Sequence, residues 1–205
     1  MPRIVPAIAA VVLLVFPALV TAQRIAGPHP DKTIPAPVEL PNKGFNTAFS
    51  RVGEDLYIAG QPTADALRDL HKRGVTTVVN LRTPEEMKNI GFDEAALVAS
   101  LGMKYVFLPV RGDDEFPYAP ATVTAFSRAL AEANGPVLLH CTVAWRASHL
   151  WAAYLIRERG ISPDSALANA RAINLMDMHH SGIGRQPVED FLGRDLDELS
   201  RYRTP

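Results

Sequence analysis

The chain has 205 residues, of which 47% are hydrophobic and 21% are charged, as in an ordinary globular protein with one sizeable core. Its 21 basic and 22 acidic residues give a formal net charge of −1 and are spread along the chain. Because no basic block or stripe is present, we expect no nucleic-acid partner.

The N-terminus has the pattern of a signal peptide. Arg3 precedes an apolar stretch from Ile4 to Val20, and Ala22 ends a stretch of small residues that suits a signal peptidase. We therefore expect residues 1–22 to be removed and the protein to be exported, to the periplasm if the source is a Gram-negative bacterium. The alternative is an uncleaved anchor, because residues 4–23 carry no charge, and only then do we expect membrane contact.

The next segment, residues 23–44, contains five prolines and no apolar periodicity. This composition predicts an extended tether rather than part of a packed domain. The folded domain is therefore expected to cover residues 45–205.

Strand-like and helix-like patterns alternate from Phe45 onward. The predicted strands are residues 55–60, 75–81, 104–110 and 136–140. The predicted helices follow Thr63, Thr83 (with a capping box to Glu86) and Ser162, and cover 93–101, 121–135, 146–158 and 187–202. This alternation predicts an α/β fold with a mostly parallel central sheet of four to five strands, flanked by helices.

The only cysteine, Cys141, lies between a buried strand and an almost entirely apolar helix. Such a loop directs backbone N–H groups and the positive end of the helix dipole to one point, which favours a thiolate and a bound anion. Arg146, at the helix start, can offer a planar fork to two oxygens of an oxyanion. Residues 141–146, the thiol loop, thus hold a candidate nucleophile and an anion site. The alternative is a structural cysteine beside a capping arginine.

Four segments give the chain a resemblance to a known family. They are "FSRVGEDLYIAGQP", "GVTTVVNLRTPEE", "GMKYVFLPV" and "GPVLLHCTVAWRASHLWA". Their order and spacing resemble those of dual-specificity-phosphatase-like proteins, and especially the bacterial branch called beta-lactamase hydrolase-like, phosphatase-like domains. The resemblance implies a cysteine-phosphatase fold, no metal, and a phosphocysteine intermediate. It places Cys141 as the nucleophile, Arg146 as the phosphate-binding arginine, and the amides of Thr142, Val143, Ala144, Trp145 and Arg146 as the phosphate cradle.

The thiol loop departs from the family pattern at several positions. Ordinary tyrosine phosphatases have five residues between cysteine and arginine, whereas this chain, like the bacterial branch, has four. Ala144 replaces a usual glycine, so that a positive φ there costs about 1 kcal/mol. Ala147 replaces the serine or threonine that commonly follows the arginine, whose hydroxyl helps the thiolate leave in the second half-reaction. Ser148 lies one position beyond this place and is a candidate supporting residue. Trp145 is bulky for a loop and is expected to pack against the core; the alternative is that it shapes or obstructs a pocket for an aromatic group.

Two aspartates and two arginines are further candidates. In related phosphatases the general acid is an aspartate on the loop after the preceding strand, and "RGDDEFPYAP" supplies Asp113 and Asp114. We predict Asp113 as the acid and Asp114 as the alternative, although solvation alone can explain an acidic loop. Arg82 and Arg111 end two predicted strands. They are expected near the same sheet edge, where they bind substrate anions, pair with Glu85 or remain solvated.

The histidines are assigned supporting roles. His140 is predicted to hydrogen bond to the thiol loop from the preceding strand. His149 and the pair in "MDMHH" (176–180) lack the spacing of a metal site, because adjacent histidines point apart on most backbones. We therefore expect no metal and no other cofactor.

Three functions remain open from the sequence. The first is an exported cysteine-dependent phosphatase acting on a phosphorylated small molecule or protein. The second is a rhodanese-like sulfurtransferase, since rhodanese loops also have four residues between the cysteine and a cationic or polar residue. The third is a catalytically weakened anion-binding or interaction domain, which Ala144, Trp145 and Ala147 favour.

Overall fold

A computed structural model describes residues 33–176 and 186–196. Its sheet has six strands in the order β1-β2-β3-β6-β4-β5. The strands are Pro37–Glu39 (β1), Phe49–Val52 (β2), Leu56–Ala59 (β3), Thr77–Asn80 (β4), Lys104–Phe107 (β5) and Val137–His140 (β6). Strands β3, β6, β4 and β5 are parallel, which confirms the predicted α/β sheet, while β1 and β2 add an antiparallel edge.

The antiparallel edge is the main difference from the predicted strands. Strand β1 lies within the predicted tether, where Val38 pairs with Arg51 of β2. Proline is compatible with this position because Pro37 is the first residue of an edge strand and needs no ladder donor there. Strand β2 was not predicted, since its sequence FSRV is short and lacks a clear alternation.

Seven helices lie in the described part of the chain. They are Ala64–Lys72 (α1), Pro84–Met87 (α2), Glu94–Ser100 (α3), Pro120–Glu132 (α4), Trp145–Arg157 (α5), Pro163–Arg171 (α6) and Pro187–Leu192 (α7). The Thr83–Glu86 capping box of α2 is confirmed. Helix α7 is shorter than predicted because Gly193 adopts φ 67° and ends it. Residues 197–205 lie outside the described residues.

The sheet has one hydrophobic cluster on each face. Alternation along the strands sends Ile58, Val79 and Leu139 towards the face covered by α4, α5, α6 and α7. Tyr57, Val78 and Leu138 point to the other face, where they pack with side chains of α1 and α3. Ten of the thirteen residues of α5 are buried, which confirms its predicted central position. No helix within residues 33–176 and 186–196 is long and apolar enough to cross a membrane.

Candidate active site

The thiol loop connects the end of β6 to the first turn of α5. Ala144 adopts the left-handed conformation, with φ 66° and ψ −5°, immediately before the helix. Its carbonyl accepts the Ser148 backbone N–H at 2.8 Å and the Ser148 hydroxyl at 2.9 Å. The loop therefore adopts, with an alanine, a conformation that glycine adopts without strain. Ser148 supports the loop through this carbonyl.

Neighbouring segments anchor the carbonyl oxygens of the loop. The Thr142 carbonyl accepts the Gln61 N–H and the Asn46 side-chain amide, both at 3.0 Å, and the Val143 carbonyl accepts the Asn174 side-chain amide. Because a trans peptide points its N–H opposite to its C=O, the Val143 N–H points away from Gln61 and Asn46. The first N–H groups of α5 also lack intrahelical acceptors. These amides are available to an anion at the helix N-terminus.

The Cys141 thiol is buried, with 1% of the residue exposed. Its side chain lies on the face of the sheet that α5 covers. Arg146 is only 8% exposed, and its guanidinium lies within electrostatic range of the thiol. Burial lowers the pKa of Arg146, but hydrogen bonding to Glu86 and the negative charges of Cys141 and Glu86 outweigh it and raise that pKa.

Arg146 is held by Glu86, a site residue that the sequence did not reveal. The two carboxylate oxygens accept from Nη1 at 3.0 Å and from Nη2 at 2.6 Å. Nη1 also donates to the Val110 carbonyl at 2.6 Å, and Nη2 to the Thr142 hydroxyl at 2.9 Å. The Thr142 hydroxyl in turn donates to Glu86 at 2.8 Å. The guanidinium is therefore fixed in orientation, and a bidentate pair of this kind is among the strongest hydrogen-bonded contacts.

The environment of Glu86 keeps its carboxylate ionised. Burial alone raises its pKa, but hydrogen bonds from Arg146, the Thr83 N–H and Thr142, together with the charge of Arg146, lower it to about 2. Among the described residues, none accepts a hydrogen bond from the Arg146 Nε–H. That N–H is the guanidinium donor that remains for a substrate oxyanion.

The structure does not place Asp113 in contact with the thiol loop. Its carboxylate hydrogen bonds to Arg111 and accepts the Phe116 N–H at 2.9 Å. The hydrogen bond from Arg111 and that from Phe116 lower the pKa of Asp113. Asp114 is exposed, and Arg111 pairs with Asp113 and lies over the Phe116 ring. The side chains of the acidic loop therefore bind one another, through contacts between Arg111, Asp113 and Phe116 that local sequence patterns do not predict.

Tyr118 is a second residue near the thiol that no sequence motif marked. Burial is the largest of the effects that together raise its pKa to about 12; nearby Arg146 opposes the rise, and Cys141 and Glu86 add to it. Its ring packs against Phe191 with the ring centroids 5.1 Å apart. A phenol that remains protonated at neutral pH therefore lies within electrostatic range of the thiol and of Arg146.

The prediction for His140 is corrected, and one of the three alternatives for Arg82 is excluded. The predicted hydrogen bond from His140 to the thiol loop is wrong, because strand alternation places His140 and Cys141 on opposite faces of the sheet; Nε2 of His140 lies 3.1 Å from Glu94 instead. Arg82 does not pair with Glu85. It donates to the Gln61 side chain at 2.7 Å and to the Glu86 carbonyl at 3.0 Å, and its Nε lies 3.7 Å from a Glu86 carboxylate oxygen. The buried Nε–H has no hydrogen-bond partner among the described residues.

The remaining candidates lie at the start of α5. Trp145 is half-buried rather than packed into the core, and its ring nitrogen donates to the Met176 carbonyl at 3.3 Å. Its ring meets that of His149 edge-on at 4.7 Å, and complete burial lowers the pKa of His149 to about 3. Across residues 33–176 and 186–196, no three His, Cys, Asp or Glu side chains form a metal site. His179 and His180 lie outside the described residues.

An open groove borders the thiol loop at Thr142. It encloses about 570 Å³. Its walls combine aromatic and amide side chains, including those of Phe45, Asn46, Gln61, Asn89 and Phe92. Arg82 also lines the groove, which therefore offers apolar surface, neutral hydrogen-bonding groups and one cationic side chain beside the thiol loop.

Comparison with known sequences relates the chain to one family. The model of the family described as "Beta-lactamase hydrolase-like protein, phosphatase-like domain" matches residues 48–156. A Beta-lactamase hydrolase-like protein of Xylella fastidiosa (strain Temecula1 / ATCC 700964) is 34% identical over 128 residues. The match covers 60% of this chain and 29% of the Xylella protein. The chain thus corresponds to less than a third of that curated relative.

Solved structures share the fold. TpbA of P. aeruginosa superposes with a TM-score of 0.53 at 24% identity, covering 82% of this chain and 96% of TpbA. A variant of TpbA has been solved in complex with pTyr. PTPMT1 in complex with PI(5)P superposes with a TM-score of 0.53 at 17% identity, covering 72% of this chain and 89% of PTPMT1. At these identities the likeness establishes the fold alone.

Proposed function

Because this chain belongs to the family of beta-lactamase hydrolase-like, phosphatase-like domains, we propose that it is an exported phosphatase that hydrolyses a phosphomonoester through Cys141. Family and fold support a phosphatase-type activity. The observation that carries the residue assignment is the fixed Arg146 guanidinium, which keeps one donor free within electrostatic range of the thiol. This arrangement suits an oxyanion bound over a nucleophile.

The proposed reaction has two displacements at phosphorus. In the first, the Cys141 thiolate forms an S–P bond, the ester P–O bond breaks, and the leaving oxygen takes a proton from a general acid. In the second, water attacks phosphorus and gives a proton to the conjugate base of the general acid, the S–P bond breaks, inorganic phosphate leaves, and the Cys141 thiolate is regenerated. The Arg146 Nε–H, the Val143 N–H and the first N–H groups of α5 stabilise the equatorial oxygens during both steps.

The general acid assigned to the first step is Asp113, with Asp114 as its alternative. In the structure Asp113 is ionised and bound to Arg111, so the proposal requires this pair to open and the carboxylate to take up a proton when substrate binds. Catalytic hydrogen bonds are often formed only in the substrate complex, which makes this requirement compatible with the free structure. The leaving group is then accommodated by the groove beside Thr142.

The second candidate function is anion binding without turnover. It is favoured by the buried thiol, by the occupied Nη donors of Arg146 and by the closed acidic loop. The two functions differ in whether bound phosphate esters are hydrolysed. For either function, the ligand we propose is a phosphomonoester of a small molecule or a protein, since TpbA and PTPMT1 have been solved with pTyr and PI(5)P.

One set of assays separates these functions. The purified protein is tested for hydrolysis of p-nitrophenyl phosphate, for thiosulfate–cyanide sulfur transfer and for vanadate binding. Cys141→Ser and Arg146→Ala are expected to abolish phosphate release, whereas Arg68→Ala, an exposed arginine on α1, is the matched control and is expected to retain it. Thiocyanate formation would identify a sulfurtransferase. Vanadate binding that needs Arg146, without any turnover, would identify the anion-binding domain.

Export is proposed from the N-terminal pattern alone, because residues 1–32 lie outside the described residues. We expect the protein in the periplasmic fraction of a Gram-negative host, with Gln23 as its first residue. Ala22→Leu is expected to leave the N-terminal segment attached, because signal peptidase requires a small residue there. A cytoplasmic product with an intact Met1 would contradict the proposal.

A further inference from the structure

Glu94, the first residue of α3, accepts hydrogen bonds from side chains of all four parallel strands or the segments that follow them. The carboxylate is fully buried. Its donors are Gln61 after β3 (2.6 Å), Asn80 of β4 (3.0 Å), Tyr105 of β5 (3.2 Å) and His140 of β6 (3.1 Å). A buried carboxylate is costly unless its oxygens are satisfied, and here four donors from different segments meet at one group.

The carboxylate is the charged form. Burial raises its pKa, but the charge of His140 and the hydrogen bonds from His140, Gln61 and Tyr105 outweigh burial and lower it. A neutral side chain of the same shape at this position would keep part of the packing and lose one acceptor oxygen. The Glu94 carboxylate therefore holds the strand ends together, and its charge can be removed by substitution with little change of side-chain volume.

Two routes lead from Glu94 to the thiol loop, one by a hydrogen bond and the backbone, the other by hydrogen bonds between side chains. The shorter passes through His140, the residue directly before Cys141. The longer passes through Gln61, whose side-chain oxygen accepts from Arg82 at 2.7 Å. Arg82 donates to the Glu86 carbonyl at 3.0 Å, and the Glu86 carboxylate holds Arg146. Glu94 thus contacts neither sulfur nor guanidinium, yet it is connected to both.

We propose that Glu94 is a positioning residue that fixes Cys141 and Arg146 relative to each other. This proposal rests on the proposed phosphatase function. By accepting from Gln61 and His140, the carboxylate holds the ends of β3 and β6, between which the thiol loop begins. A misplacement of about 1 Å between reacting groups costs about 100-fold in rate, so a small loosening here has a large effect on turnover.

The test variant is Glu94→Gln. Its amide nitrogen replaces one acceptor, so that Gln61 must turn its oxygen towards residue 94 and its NH2 group towards Arg82. Two donors then face each other, and the longer route is broken. We expect kcat on p-nitrophenyl phosphate to fall about 10- to 100-fold with KM within about twofold of the original. The rate of Cys141 alkylation by iodoacetamide is also expected to fall.

Two further variants separate positioning from general loosening. The double substitution Glu94→Gln with Gln61→Glu exchanges the carboxylate and the amide between the two positions. The new carboxylate at position 61 can accept from the amide at position 94 and from Arg82, and we expect the double variant to recover most of kcat. Tyr105→Phe is the matched control, because it removes a donor to the same carboxylate without interrupting either route. We expect its kcat within about twofold of the original, together with a loss of thermal stability comparable to that of Glu94→Gln.

The outcomes distinguish this proposal from the phosphatase proposal. If the unmodified protein releases no phosphate from any ester, the phosphatase proposal fails, and alkylation rates still report on positioning. A folded Glu94→Gln protein with unchanged kcat and alkylation would overturn the positioning role, as would an equal kcat loss in Tyr105→Phe. Should Glu94→Gln not fold, Arg82→Lys interrupts the longer route outside the buried carboxylate. An unchanged kcat in Arg82→Lys would equally overturn the proposal.

Discussion

Replacing Glu86 with glutamine tests the ion pair that orients Arg146. The pKa of Glu86 falls from 4.5 to about 2 in the folded protein. Each pKa unit corresponds to about 1.4 kcal/mol, so the ionised carboxylate contributes about 3 kcal/mol to the free energy of unfolding at neutral pH. The side chain is 27% exposed, which leaves most of this contribution unscreened. Glu86→Gln is therefore expected to lower stability by about 3 kcal/mol at pH 7.

The stabilisation by Glu86 depends on pH. Because the folded pKa is lowered, the stabilisation is complete above about pH 4.5 and is lost as pH falls towards 2. Urea unfolding should thus show a difference of about 3 kcal/mol between Glu86→Gln and the original protein at pH 7, and about 1 kcal/mol at pH 3. Glu85→Gln is the control: this neighbour is 69% exposed and, within residues 33–176 and 186–196, forms an ion pair with Lys88 alone, so a change below about 0.5 kcal/mol is expected. Equal effects of the two substitutions, or a pH-independent difference, would refute the reasoning.

Two further predictions concern the thiol loop and the acidic loop. Ala144→Gly relieves a positive φ that costs about 1 kcal/mol but loses a buried methyl group and adds chain entropy, so stability measured by urea unfolding should change by less than about 1 kcal/mol. Its kcat should rise, because the amides become more accessible; a fall would contradict the proposed cradle. Asp113→Asn should reduce kcat about 100-fold on phenyl phosphate and far less on p-nitrophenyl phosphate, whose leaving group needs no proton. Equal losses on both esters would show that Asp113 is not the acid, and the same pattern in Asp114→Asn would transfer the role.

Local sequence patterns predicted the parallel strands and most helices because each pattern is complete within a few residues. The capping box at Thr83 is an example, since both partners lie within one turn. Glu86 was not predicted as a site residue because its place in the capping box already gave its carboxylate a structural role. Its second partner, Arg146, is 60 positions away and comes within reach only when the strands assemble.

The buried polar contacts were missed for the same reason. His140 and Glu94 are 46 positions apart, and strand alternation decided that His140 would meet Glu94 rather than the thiol loop. Tyr118 follows an irregular loop whose course depends on the pair between Arg111 and Asp113. Sequence periodicity determines which face a residue occupies, but the partner on that face is set by the tertiary fold.

The most direct measurement of the central claim is identification of the phosphorylated residue during turnover. The protein is mixed with p-nitrophenyl phosphate and quenched in acid within the first turnover, and the peptide containing residue 141 is analysed by mass spectrometry. We predict one phosphoryl group on the Cys141 sulfur, and neither this adduct nor phosphate release in Cys141→Ser. A phosphoryl group on another residue, or phosphate release by Cys141→Ser at the original rate, would contradict the account.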